Sequence, residues 1–95
     1  MSRNLEEVTR AANERFETFT RAAEGSLYLL PHLGKDHFIL KLGIKIDAFL
    51  NNGDGGCGEY LARISARTGV DFDNIINPET NLEELFSSYF RKIGV

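Results

Sequence analysis

Apolar positions gather into four amphipathic stretches, and one is denser than the rest. Residues 36–50, DHFILKLGIKIDAFL, are the most apolar segment of the chain. Leu40, Leu42, Ile44, Ile46, Ala48 and Leu50 alternate there as a strand would. His37, Lys41, Lys45, Ala48 and Asn52 instead recur every three to four residues and gather within about 80° of a helical wheel. Phe38, Ile39, Leu42, Ile46, Phe49 and Leu50 fill the opposite side. Length favours the helix, because buried strands seldom exceed about 8 residues without a turn signal. Asp36 suits the start of such a helix, and Asn51, Asn52 and Gly53 suit its end. Gly43 lies inside the apolar arc, where glycine costs about 1 kcal/mol against alanine. Close approach of a neighbouring helix is the expected reason for it. The alternative is a hairpin spanning 26–46.

The other stretches supply packing partners. Residues 4–23 predict a first helix, with Asn4 and Glu7 in the places of a capping box. Leu5, Val8, Ala12, Phe16, Phe19 and Ala23 form its apolar stripe, and Glu6–Arg10 and Glu17–Arg21 are favourable i,i+4 pairs. Arg15 interrupts the stripe, and Asp47 is its expected partner. Gly25 is expected to end this helix. Residues 26–33 are short and apolar, with Pro31 biasing Leu30 away from helix. The NNGDGGCG stretch, 51–58, reads as a loop. A third helix is predicted over 59–68, with Tyr60, Leu61, Ile64 and Thr68 inward and Gly69 as its stop. Asp71 opens a short turn over 72–76. Asn81 and Glu84 cap a fourth helix over 82–93, whose Leu82, Leu85, Phe86, Tyr89, Phe90 and Ile93 share about 140° of the wheel. The pattern thus predicts an all-α fold: one domain over 1–95, a small bundle of four main helices plus short helical turns, with 36–50 at its centre.

Composition narrows the classes without naming a function. A chain of 95 residues buries about 60–65% of its unfolded surface, enough for one modest core. The 42% apolar and 26% charged content is ordinary for a globular protein. A net charge of −3 argues against non-specific binding to nucleic acid or anionic lipid, which needs a basic surface. A single cysteine makes no internal disulfide, the N-terminus is polar, and no run of about 18 apolar residues occurs. These features predict no membrane span and a reducing, cytoplasmic setting.

Candidate chemistry is sparse. Gly53, Gly55 and Gly58 spell a G-x-G-x-x-G ahead of a helix. In a dinucleotide site these glycines follow a strand; here they follow a helix, and Asp54 sets negative charge beside any phosphate. Asn52 and Asp54 lack the remaining oxygen ligands of a calcium loop. Cys57 at a helix start, with His32 or His37 as base, is the least favoured reading, a small thiol enzyme. The same three residues lack the tight, repeated spacing of a zinc site. No catalytic residue, metal or cofactor is therefore assigned.

Residues 61–76, LARISARTGVDFDNII, carry Ser65, Gly69, Val70 and Ile75 in a pattern that resembles the core of a helix-turn-helix. The resemblance covers about a sixth of the chain and implies a DNA-binding regulator as the alternative function. It departs where a recognition helix would meet phosphate: Asp71, Asp73, Asn74 and Asn77 stand there, and Pro78 cuts the segment short.

Charge distribution gives the leading expectation. Between Thr68 and Phe90 the chain carries five acids, Asp71, Asp73, Glu79, Glu83 and Glu84, and no lysine or arginine. Leu40 and Ile44 flank the polar strip of the central helix and form an apolar spot unless 26–33 covers them, which is the expected arrangement. The function expected is a non-catalytic protein-binding module, a small adaptor, regulator or inhibitor. It would dock a partner with a basic surface, or a second copy, through Asp71, Asp73, Glu79 and Glu83 with Leu40 and Ile44.

Overall fold

The computed structural model describes residues 5–52 and 56–95, and within 5–20 the side chains of Glu7, Arg10 and Thr18. Among the described residues six helices succeed one another and no strand occurs, so the 26–46 hairpin is absent. The expected stripe at Leu5, Val8, Ala12, Phe16 and Phe19 lies outside the described side chains, as does Arg15; only its last member, Ala23, is described, and it is buried.

The first helix, α1, runs Leu5–Leu33. It passes through Gly25, where the sequence predicts a stop, and takes in Pro31. Residues 26–33 are therefore its last two turns and not a separate segment. Tertiary burial overrides the local signals. Ala23, Ser26 and Leu30 share one face and are all buried, and a single helical glycine costs only about 1 kcal/mol. Ser26 also returns its hydroxyl to the Ala22 carbonyl at 3.0 Å, so burying it leaves no stray donor. Pro31 is exposed in the final turn, so the hydrogen bond it cannot donate is lost close to the helix end.

The true stop is Gly34. Its φ of +91° is the left-handed region that glycine enters without penalty. Its N–H donates to the Leu30 carbonyl at 2.9 Å, and its own carbonyl accepts from Phe38 N–H at 3.3 Å. One residue thus closes α1 and opens α2, Lys35–Asn52. The central helix exists as expected, one residue longer at its start and two at its end. Asp36 falls in its first turn, where a carboxylate suits the helix dipole.

Phe38, Leu42 and Ile46 form the buried face of α2, with Ile39 and Phe49 partly covered. Leu50, placed inward by the helical wheel, is 47% exposed. Gly43 also departs from expectation. A Cβ there would meet nothing within 4 Å, so no neighbouring helix requires it.

The third helix, α3, is Cys57–Thr68 and packs against both α1 and α2. It starts two residues earlier than predicted, and Asn51 and Asn52 remain helical, so the loop is shorter than the 51–58 expected. Tyr60, Leu61 and Ile64 are buried as the pattern requires. Gly69 ends the helix at φ +77° with its N–H on the Ser65 carbonyl. Then come α4, Phe72–Ile75, α5, Leu82–Leu85, and α6, Ser87–Ile93.

The predicted fourth helix is therefore divided at Phe86, whose φ of −92° and ψ of 3° depart from helical values. Hydrogen bonds still cross the break, from Phe86 N–H to the Leu82 carbonyl and from Phe90 N–H to the Phe86 carbonyl. Burial accounts for the bend. Phe86 and Phe90 stack at 6.2 Å, and Phe38 meets each of them edge-on, at 5.5 and 5.9 Å. Asn81 caps α5 as predicted, accepting from Glu84 N–H at 3.1 Å.

Candidate protein-binding surface

Leu40 and Ile44 lie on the side of α2 opposite Phe38, Leu42 and Ile46. They are 66% and 60% exposed. Residues 26–33 do not cover them, because those residues continue α1 and turn Ser26 and Leu30 into the core. The lysines expected to form the wet strip are instead partly covered. Lys45 sets its ammonium 5.3 Å from the centre of the Tyr60 ring on α3, and Lys41 is half-buried at a small recess with Leu29 and His37. Long aliphatic stems let lysine lie along apolar surface with its charge outward. The two lysines thus border one edge of the buried face, and Leu40 and Ile44 point out beyond them.

On the other flank of α2 a cleft of about 220 Å³ opens between the helix and the segment from Ile75 to Leu82. Gly43, Asp47 and Leu50 form one wall; Asn77, Pro78 and Thr80 form the other. Leu40 and Ile44 do not line this opening; they lie on the adjoining solvent-facing arc of α2. The facing wall is held by a compact turn. Asn77 accepts from Glu79 N–H through its side chain and from Thr80 N–H through its carbonyl, both at 3.0 Å. Asp47, the expected partner of Arg15, is exposed in the cleft wall.

Asp71, Asp73, Glu79, Glu83 and Glu84 are all exposed. Glu83 meets Lys35 at 3.8 Å with both side chains about half exposed, a pairing worth at most about 1 kcal/mol. All five acids thus face solvent, and the Glu83–Lys35 pair adds little to stability.

The remaining candidates do not gather into a site. Cys57 is the first residue of α3 and is buried, at 8% exposure. His32 is exposed beside Tyr28, their rings 6.0 Å apart, and His37 is exposed on α2. Among the described residues no three His, Cys, Asp or Glu side chains gather as a metal site. Gly53, Asp54 and Gly55 lie outside the described residues. In the segment that resembles a helix-turn-helix, Ser65 Oγ donates to the Val70 carbonyl at 2.6 Å and fixes the corner. The second helix, α4, is a single turn of four residues, with Asp73 and Asn74 exposed on it.

One buried polar link was not anticipated. The Tyr60 hydroxyl donates to Ser26 Oγ at 2.8 Å, and Ser26 Oγ in turn donates to the Ala22 carbonyl. Burial raises the Tyr60 hydroxyl pKa, the Ser26 hydrogen bond lowers it in part, and Cys57 adds a smaller upward push. This link joins α3 to α1 through the core and leaves both hydroxyls satisfied.

No protein-family model, no curated protein and no solved structure matches the chain. No described helix is long and apolar enough to cross a membrane.

Proposed function

We propose that the protein is a non-catalytic protein-binding module that docks a partner with a basic surface. The observation that carries this is the exposure of Leu40 and Ile44, at 66% and 60%, on a helix whose opposite face is the core. Two branched apolar side chains held four residues apart on a rigid helix form a preorganised anchor. The acids at Asp71, Asp73, Glu79 and Glu83 supply the second element. They speed encounter with a cationic partner and disfavour an anionic one.

The test is an affinity pull-down with mass-spectrometric identification, comparing wild type, Leu40→Lys/Ile44→Lys and Asp71→Lys/Asp73→Lys/Glu83→Lys. The reading expects a partner retained by wild type and lost with either set of substitutions. Retention by both sets overturns it.

A further inference from the structure

We propose that the cleft beside Gly43 is the seat for an apolar side chain carried on a cationic, amphipathic segment of the partner. This rests on the binding-module reading and specifies its chemistry. Size argues for a side chain and not a small molecule, since the cleft holds about 220 Å³ and small-molecule sites run to about 300–1,000 Å³. Shape argues for the same occupant. Gly43 adds no side chain to the wall, and space lies open where its Cβ would stand. Four apolar residues, Ile46, Leu50, Ile75 and Leu82, line that opening, and Leu50 is itself 47% exposed. A backbone notch walled by these apolar side chains admits a knob from outside as a coiled-coil hole does.

Charge selects the carrier. Asp47 lines the cleft, and the exposed Glu79 lies next in sequence to Pro78 and Thr80 of the facing wall without lining it. No lysine or arginine occurs from Thr68 to Phe90, and Lys45 is drawn across the helix to Tyr60. Basic residues flanking the anchor meet Asp47 at the cleft and the exposed Glu79 close to its far wall, whereas an acidic segment meets repulsion. The larger depression, of about 320 Å³, lies between Lys35, Glu83, Glu84 and Arg91 and mixes both signs, so it favours neither.

The test uses a labelled leucine–lysine amphipathic peptide of about 16 residues, long enough to form a helix on binding, and a glutamine-for-leucine counterpart of equal charge. Fluorescence anisotropy and proton–nitrogen correlation spectra are recorded at low salt on wild type, Gly43→Leu and Asp47→Lys. Wild type is expected to bind the leucine peptide, with shifts centred on Gly43, Asp47, Leu50 and Thr80. Each substitution is expected to weaken binding at least about tenfold, or ~1.4 kcal/mol. Helical circular dichroism confirms that each variant is folded, and Gly43→Ala serves as the conservative control.

Unchanged affinity in Gly43→Leu, or shifts confined to Leu40 and the 71–84 acids, overturns the cleft and leaves the binding-module reading standing. Equal binding of both peptides shows that charge alone is read and overturns the anchor. Absence of binding overturns the cationic carrier, while the pull-down reports separately on the parent reading. Shifts at the cleft that grow with protein concentration alone identify a second copy as the occupant and also overturn the proposal.

Discussion

Phe38, Leu42 and Ile46 recur every four residues along α2 and are buried; Leu40 and Ile44, also four apart on that helix, stand in solvent. Hydropathy does not separate the two sets. What separates them is which side faces a neighbour. The inner set meets Phe86 and Phe90, and α3 packs along the same helix. The outer set meets no covering element among the described residues. A helix with apolar residues on both sides has one side for its own core and a second available to another molecule.

The contrast predicts unequal costs. Phe38→Ala should lose about 3–5 kcal/mol in a urea melt, because it empties the centre of the aromatic cluster. A loss below ~1 kcal/mol would show that Phe38 does not organise the core. Tyr60→Phe should lose about 0.5–1.5 kcal/mol by removing the link to Ser26. It should also change the response to alkali. The Tyr60 pKa is raised in the folded state, so its stabilising share is complete below the unfolded value near 10 and is lost as pH rises through the folded value. The phenylalanine variant should lack that part of the decline; matching alkaline profiles for the two proteins would remove the assignment.

Gly43→Ala should raise stability by up to about 1 kcal/mol, since helix propensity improves and nothing obstructs the methyl. Destabilisation would mean the cleft wall is closer than described. Leu40→Lys and Ile44→Lys should each change stability by less than about 0.5 kcal/mol, and their effect should fall on partner capture. A melt displaced by ~2 kcal/mol would place these residues in the core and erase the contrast.

Much of the fold was legible where local chemistry and packing agree. The Asn81 cap, the Gly69 stop and the inward Tyr60, Leu61 and Ile64 obey short-range rules, and the structure keeps them. The rules misled where packing opposed them. Gly25 and Pro31 signal a break, yet burial of Ala23, Ser26 and Leu30 carries α1 through both. Phe86 fits a helical stripe, but its burial bends the backbone there.

The candidate surface was half legible. The acids are visible as a one-signed run, and Leu40 and Ile44 as residues at the edge of a polar strip. Their exposure was not, because Gly25 and Pro31 set 26–33 apart as a covering segment, whereas burial of Ser26 and Leu30 keeps it in α1. The cleft was hidden for a different reason. It is defined by space beside Gly43, and a sequence records the glycine without the neighbour that is missing.

The corner at Gly34 has a bearing on how this chain can vary. It joins α1 to α2 through one residue, with a hydrogen bond on each side of it, and so has no slack to absorb a change in length. An extra residue in the first turn of α2 would rotate the remainder of that helix by about 100°, swinging Phe38 out of its aromatic nest. Substitutions along the outer side of this rod should leave the fold intact, but insertions and deletions at its root should not.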